Sequence, residues 1–311
     1  MADKSKPLDY YLNLNRCQYD WKETDALMGM LRRPVFGAAA PMLKDSGKDK
    51  VVLLHKVLEE VAGKFEIHEQ TIGDCVSHGW ALGIDVLKAV EIHLKKEKEE
   101  FKSKTATEPI YASSRVEIGR GRLGNSDGSI GAWAARAVNE YGTLLRQKYG
   151  RFDLTKYSGS KARSWGKANA GLPDDLEPVS REHPVRTVSL VTSYEEARDA
   201  IANGYPVAVC SMQGFQSKRD KDGFAKASGS WAHCMLFCSS DDKFKRPGLL
   251  CVNSWGPYWI SGPKRHGQPD GSFWVEADTV DKMLRRDPDS YSMSGFEGYR
   301  KQSFSFEDVW S

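Results

Sequence analysis

An apolar segment that ends in Asn253-Ser254-Trp255-Gly256 constrains this 311-residue chain more than any other feature. Residues 249–252 predict a buried strand, and a second apolar strand carries His233 twenty residues before the asparagine. An asparagine at a strand end can accept an imidazole N–H and so determine which ring nitrogen faces a reactant. The ring of Trp255 can cover that hydrogen bond and keep water away from it. The pattern therefore predicts a histidine that is oriented for chemistry.

Such a histidine requires a nucleophile, and Cys75 is the candidate. It follows Gln70-Thr71-Ile72-Gly73-Asp74 and precedes an amphipathic stretch that predicts a helix from Cys75 to about Lys95. A thiol at a helix N-terminus lies against unpaired backbone N–H groups and the positive end of the helix dipole. A nearby imidazolium stabilises the thiolate further. These residue types indicate acyl transfer through a thioester.

The order of these residues resembles that of the papain-like cysteine peptidases. Members of that family carry, in this order along the chain, an oxyanion-binding Gln, a nucleophilic Cys that opens a helix, a His, and an Asn followed by Ser-Trp-Gly. Gln70, Cys75, His233 and Asn253 occupy those places here. The resemblance covers about residues 65 to 280. It implies an α+β fold in which a helical lobe and a β-rich, barrel-like lobe face each other across the active-site cleft.

The resemblance also implies a role for each residue. Cys75 would attack a peptide bond, and the side-chain amide of Gln70 and the backbone N–H of Cys75 would face the oxyanion. Gly128 and Ser129 lie where the family binds the substrate backbone, and Trp255 would support the histidine. The expected function is a thiol peptidase that hydrolyses a peptide or protein substrate and needs no cofactor and no metal.

The segment around the nucleophile departs from the family in three ways. Gln70 and Cys75 are five positions apart instead of six, and Val76 replaces the usual aromatic residue. The carboxylate of Asp74 would raise the pKa of the adjacent thiol unless it points away. In an alternative alignment Cys75 takes the place of a disulfide cysteine and His78 that of the nucleophile. We favour Cys75, because the partner of that disulfide is missing.

Composition excludes several classes of function. Charged residues make up 28% and hydrophobic residues 40% of the chain, and the net charge of +3 gives no argument for binding nucleic acid or a membrane surface. No apolar run is long enough to span a bilayer, and the first residues lack the apolar core of a signal peptide. Together with the missing disulfide, this predicts a cytoplasmic protein, with a virion as the alternative. The distance of the sequence from the secreted members of the family suggests a bacterial or phage source.

The cysteines on predicted strands are expected to be small apolar core residues. A metal site formed by His233, Cys234, Cys238 and Cys251 is the alternative. Side chains alternate between the two faces of a strand, so His233 would point away from Cys234 and Cys238. This argues against a metal.

The chain divides into four predicted regions. Residues 1–55 form a loop-rich extension that packs on the catalytic body or on a partner, and residues 56–165 form the helical lobe with the nucleophile. Residues 166–286 form the β-rich lobe with the histidine and asparagine, and residues 287–311 form a tail that serves as an interaction arm. Within this scheme, residues 51–62 predict a helix, and residues 150–185 an irregular crossover.

Helix and strand signals are clearer in the second half. Ser193 and Glu196 form a capping-box pattern for a helix that ends near Asn203. The predicted strands are residues 207–211, 233–238, 249–253 and 272–276.

Two alternative functions remain open. The chain could be a papain-fold structural or interaction protein, for example a virion or assembly component, with an idle site and a protein partner bound through the extension or the tail. A deamidase or transamidase would begin with the same thioester, so the motif cannot separate these activities from a peptidase.

Overall fold

The computed structural model of the chain describes residues 6, 10, 34–67, 69–95 and 101–302. The α-helices of this part are α1 (Phe36–Ala39), α2 (Leu54–Ala62), α3 (Cys75–Lys95), α4 (Thr107–Ala112), α5 (Gly131–Glu140), α6 (Gly159–Trp165), α7 (Glu177–Arg181), α8 (Tyr194–Ala202) and α9 (Ala277–Arg286). A 3₁₀ turn (Pro41–Leu43) follows α1, and a π-helical segment (Ser113–Ile118) follows α4.

The described strands are β1 (Val51–Leu53), β2 (Lys148–Tyr149), β3 (Phe152–Asp153), β4 (Thr187–Leu190), β5 (Val207–Arg219), β6 (Ala225–Asp241), β7 (Gly248–Val252), β8 (Ser272–Glu276) and β9 (Asp289–Ser294). Seven of them form an antiparallel sheet in the order β4-β9-β5-β6-β7-β8, with β1 paired to the C-terminal end of β6. Strands β2 and β3 form a separate hairpin. The predicted α+β fold class is confirmed.

Helix α3 lies against β6 and brings the helical part of the chain onto the sheet. Two glycines permit this close approach. A Cβ atom at Gly79 would lie 3.0 Å from the sulfur of Cys234, and one at Gly83 would lie 2.6 Å from the terminal methyl group of Met293. The helix begins at Cys75 and ends at Lys95, as its apolar periodicity predicted. Its N-terminus is therefore fixed against the strand that carries His233.

The prediction for residues 51–62 is only partly correct. The helix occupies Leu54–Ala62, whereas Val51–Leu53 pair as a short strand with the end of β6. Val51 and Val52 are β-branched and stiff at χ1, so they suit a strand once a partner is available. Tertiary pairing overrides the helical spacing of the apolar residues here.

The predicted C-terminal tail is corrected at its start. Residues Asp289–Ser294 form β9, which lies inside the main sheet between β4 and β5, and every residue of this strand is buried. Its alternating serines are small and polar, and they gave no apolar strand signal. The sheet therefore continues past residue 287, and this stretch is part of the β-rich body and not an interaction arm.

The crossover region also contains more regular structure than predicted. The β2–β3 hairpin, α6 and α7 all fall in or beside residues 150–185. Each of these elements has seven residues or fewer, which is too short for a periodic pattern.

One of the two hydrogen bonds of the capping box predicted for α8 is present. The hydroxyl of Ser193 accepts the N–H of Glu196 at 3.2 Å. The Glu196 carboxylate instead accepts the N–H groups of Thr192 and Gly37.

Strands β5 and β6 are longer than predicted, β7 ends one residue early at Val252, and β8 agrees with the prediction. Cys210, Cys234, Cys238 and Cys251 are buried on these strands, as expected of small core residues. Among the described helices, none is both long and apolar enough to cross a bilayer.

Candidate active site

The predicted histidine and asparagine are in direct contact. Nε2 of His233, on β6, lies 2.6 Å from Oδ1 of Asn253, the residue that follows β7. Strands β6 and β7 pair so that Leu236 is opposite Val252, which brings the end of β7 beside the histidine. An amide oxygen accepts, so Nε2 carries the hydrogen and the neutral ring has its free lone pair on Nδ1. In the described part of the chain, Nδ1 is buried without a hydrogen-bond partner.

Aromatic rings cover this hydrogen bond. The ring of Trp255 lies 5.0 Å from that of His233, and Trp231 lies 4.4 Å from Trp255. Trp259 meets Trp255 edge-on at 5.0 Å. Trp255 was predicted, whereas Trp231 and Trp259 were missed. Trp231 could have been found, because it is two residues before His233 and a strand places such residues on the same face.

A glycine provides the space for Trp231. A Cβ atom at Gly214 on the neighbouring strand β5 would lie 2.0 Å from the indole nitrogen of Trp231. Any larger residue at this position would push Trp231 away from Trp255.

Cys75 is the first residue of α3 and is fully buried. The carbonyl of Asp74 accepts the N–H of His78 at 3.3 Å, which begins the helix. The first turns of α3 face β6, and Asn253 lines one small cavity together with His78 and Gly79. Burial, and then the neighbouring thiols of Cys210 and Cys75, raise the pKa of Cys234. Cys75 therefore lies at the interface between the helix and the strand that carries the histidine.

Gln70 is tied to the segment that follows Asn253. The hydroxyl of Ser254 donates to Oε1 of Gln70 at 2.6 Å, and the backbone N–H of Gln70 donates to the carbonyl of Ser254 at 2.9 Å. The amide nitrogen of Gln70 donates to the carbonyl of Ile72 at 2.9 Å. Ser254 was not predicted, although it belongs to the diagnostic Asn-Ser-Trp-Gly segment.

Gly128 and Ser129 are buried in a turn before α5. The hydroxyl of Ser129 lies 2.9 Å from that of Ser114, and the carbonyl of Gly128 accepts from Arg115. Their side-chain and carbonyl groups are thus used within the protein. The backbone N–H of Gly128 donates to the hydroxyl of Tyr111 at 3.2 Å.

The metal site considered as an alternative has no counterpart among the described residues. No group of three or more His, Cys, Asp or Glu side chains within residues 34–67, 69–95 and 101–302 is arranged to hold a metal ion. Burial raises the pKa of Cys251, and it raises that of Cys238 to about 12, so these thiols stay protonated at neutral pH. They match their predicted structural role.

Neither a protein-family model nor a curated protein sequence matches this chain. Solved structures do match it. Xylellain, a cysteine protease from Xylella fastidiosa, is 17% identical, with a TM-score of 0.51 over 78% of this chain and 85% of its own. The proform of Amb a 11, a cysteine protease and ragweed pollen allergen, is 14% identical, with a TM-score of 0.57 over 91% of this chain and 77% of its own. The chain has a papain-like fold.

Procathepsin L 3 from the larval midgut of Tenebrio molitor matches similarly, at 14% identity and a TM-score of 0.53 over 91% of this chain and 77% of its own. The predicted papain-like architecture is therefore confirmed at the level of the fold.

Proposed function

We propose that the protein is a papain-like thiol peptidase in which Cys75 is the nucleophile and His233 the general base and acid. The observation that carries this proposal is the 2.6 Å contact between His233 Nε2 and Asn253 Oδ1, covered by Trp255, on a strand that packs against the helix opened by Cys75. The papain-like fold supports the same assignment.

In the first step, Nδ1 of His233 takes the proton of the Cys75 thiol. The resulting imidazolium and thiolate stabilise each other, and the N-terminus of α3 favours the negative sulfur. Asn253 keeps Nε2–H engaged, so the ring presents Nδ1 to the sulfur throughout. The tryptophan cover keeps water away from this bond, which strengthens it.

The thiolate then attacks the carbonyl carbon of a peptide bond and forms a tetrahedral oxyanion. The side-chain amide of Gln70 and the backbone N–H of Cys75 donate to that oxygen. Ser254 holds Gln70 in place through its 2.6 Å hydrogen bond, so the donor is fixed before the reaction. Loss of one such donor typically lowers the rate by about a hundredfold or more.

When the tetrahedral intermediate collapses, the carbon–nitrogen bond breaks and the His233 imidazolium gives its proton to the leaving amine. A water molecule, deprotonated by His233, then attacks the thioester carbonyl. The carbon–sulfur bond breaks, and the acid product and the Cys75 thiolate are released. A different acceptor at this second stage would give transamidation, and a side-chain amide as substrate would give deamidation.

One observation favours an idle site in a structural or interaction protein. Cys75 and His233 are both fully buried in the described structure, so a substrate carbonyl cannot reach the sulfur until covering residues move. In this second proposal the papain-like body is a scaffold, and residues 1–55 or the end of the chain engage a protein partner. The free thiols in the sheet fit action in a reducing compartment such as the cytoplasm.

Labelling and turnover distinguish the two proposals. The full chain is treated with iodoacetamide, the labelled cysteines are identified by peptide mapping, and fluorogenic peptides are tested for cleavage. A peptidase shows labelling at Cys75 and turnover that Cys75→Ala abolishes, whereas the matched control Cys238→Ala retains both. Full activity in Cys75→Ala would refute the assignment. An unreactive Cys75 in a stable oligomer or large assembly would favour the scaffold.

A further inference from the structure

A fully buried carboxylate directly precedes the proposed nucleophile. Asp74 has no solvent exposure, and an aspartate at the start of a helix usually accepts backbone N–H groups of the first turn. Here Oδ2 instead accepts the hydroxyl of Tyr157 at 2.9 Å, and Oδ1 lies 3.5 Å from Nε2 of His78. Within the described residues, neither Oδ1 nor Nε2 has a hydrogen-bond partner. A buried anion is costly unless it is paired, so this arrangement needs a reason.

The hydroxyl of Tyr157 joins both ends of the segment between Gln70 and Cys75. It donates to Asp74 and accepts the backbone N–H of Thr71 at 3.2 Å. Burial, and then the charge of Asp74, raise the pKa of Tyr157, so the hydroxyl remains a donor. The ring of Tyr157 meets that of His78 edge-on at 4.9 Å. One side chain thus contacts Thr71, Asp74 and His78 together.

The middle of the segment is held from another side. Gly73 donates its N–H to Asp127 at 3.2 Å, and Arg163 binds the same carboxylate through two nitrogens. Gly159 lies so close to Thr71 that a Cβ atom there would be 2.3 Å from the threonine hydroxyl. The segment is therefore fixed at Thr71, Gly73 and Asp74, each of which lies between the two proposed oxyanion donors.

The position of Asp74 also has an electrostatic consequence. A carboxylate beside the thiol disfavours the thiolate, because the two negative charges repel each other. Nε2 of His78 lies 3.5 Å from the carboxylate, one helical turn beyond Cys75, and a proton on this ring would offset that repulsion.

On the basis of the proposed function, we propose that Tyr157, Asp74 and His78 act as one positioning unit for Cys75. The Tyr157 hydroxyl sets the separation of the two oxyanion donors across the segment, and His78 balances the Asp74 charge so that the neighbouring thiol can ionise. The three residues act through Cys75.

Other charged groups near the unit are already paired. Asp127 is bound by Arg163, and Arg115 lies near Tyr111. The cavity that His78 lines also includes Glu66, which pairs with Lys104, and Asp85, which accepts from Thr105 and lies near Lys88. The titratable groups on the strand side include His233, the thiols of Cys234 and Cys210, and Asp289. A neutral substitution of Asp74 or His78 therefore changes this pair and leaves the other ion pairs around it intact.

The test measures thiolate absorbance at 240 nm from pH 4 to 10. The Cys75 signal is isolated by subtracting the same variant with Cys75→Ser. His78→Gln is expected to move the pH midpoint of this signal up by about one unit, because the Asp74 charge is left unbalanced. Adding Asp74→Asn to His78→Gln is expected to return it. His93→Gln, at a half-buried position of the same helix where the imidazole lies beside Glu60, is the matched control and should leave the midpoint unchanged.

Tyr157→Phe keeps the ring and removes only the hydroxyl. It is expected to lower kcat about tenfold with little change in KM, because the oxyanion donors lose their fixed separation. Tyr149→Phe, whose hydroxyl accepts from Leu145 elsewhere in the lobe, is the matched control.

The outcomes separate this inference from the proposed function. If the wild-type thiol of Cys75 ionises only like a free cysteine and no peptide is cleaved, the proposed function fails and the inference fails with it. If the wild-type protein is active but His78→Gln keeps the wild-type midpoint, or Asp74→Asn does not restore it, the charge-balancing role is overturned. If Tyr157→Phe keeps the wild-type kcat, the Tyr157 hydroxyl does not set the separation of the oxyanion donors, and that role is overturned.

Discussion

Replacing Asn253 by alanine removes the acceptor of a buried imidazole N–H. The lost bond is 2.6 Å long, and Asn253 is only 1% exposed, so water cannot easily replace the amide oxygen. A buried donor left without an acceptor costs about 1–3 kcal/mol, and the cost lies toward the upper end when the group is charged. His233 is charged in the thiolate–imidazolium state from which attack begins, so that state is destabilised more than the neutral one.

If about 1.5–3 kcal/mol falls on the ion pair, kcat/KM should decrease about 10- to 150-fold. The amide nitrogen of Asn253 has no hydrogen-bond partner within the described residues, so its removal adds nothing to this cost. The assay is turnover of a fluorogenic peptide that the wild-type protein cleaves, together with urea unfolding of both proteins.

Asn203→Ala is the matched control. Asn203 is also a buried asparagine, and its amide nitrogen donates to Ser46 and to the carbonyl of Asp199. It should lose stability of similar size and keep its activity. If Asn253→Ala stayed within twofold of wild-type kcat/KM while its stability fell, Asn253 would be only a structural residue and the reasoning would be refuted.

Two further substitutions test separate parts of the structure. Ser254→Ala removes the 2.6 Å hydrogen bond that fixes Gln70, and kcat should fall about tenfold with little change in KM, since the oxyanion exists only in the transition state and intermediate. Burial lowers the pKa of His55 to about 3. As the pH falls below about 6.5, the unfolded chain therefore takes up a proton at His55 that the folded chain does not. The corresponding stability is complete above about pH 6.5 and is lost progressively toward pH 3. Between pH 7 and pH 5, the free energy of unfolding should therefore fall by about 2 kcal/mol less in His55→Gln than in wild type, as measured by urea unfolding.

The control for Ser254→Ala is Ser240→Ala, because the buried Ser240 hydroxyl has no hydrogen-bond partner among the described residues. Equal kcat in both serine variants would contradict the role of Ser254. Parallel pH profiles of stability in wild type and His55→Gln would show that His55 does not titrate as its burial requires.

The sequence indicates the fold best where local signals and tertiary contacts agree. Helix α3 begins and ends at its predicted residues because its apolar face is periodic and packs on β6. The strand β9 was missed because its serines give no apolar pattern, and its partners β4 and β5 are far away in the chain. Val51–Leu53 were assigned to a helix because a strand of three residues depends on its partner and not on its own spacing.

The candidate site, like the fold, was predictable from the sequence only in part. The order of Cys75, His233 and Asn253 was readable from the sequence, because each stands at a recognisable helix start or strand. The environment of Asp74 was not readable, because Tyr157 is 83 residues away in a segment without periodicity. The sequence raised the question of where the Asp74 carboxylate points, and only the structure identifies Tyr157 and His78 as its neighbours.

The pairing of the Cys75 thiol with the His233 imidazole is tested most directly by thiolate absorbance at pH 5.5. A free cysteine is only about 0.1% ionised at this pH, whereas a thiolate paired with imidazolium is ionised for the most part. We predict that wild type exceeds Cys75→Ser at 240 nm by the absorbance of one thiolate, and that His233→Ala abolishes the difference. If wild type and Cys75→Ser are identical until the pH approaches 8.5, the two side chains do not form the proposed pair.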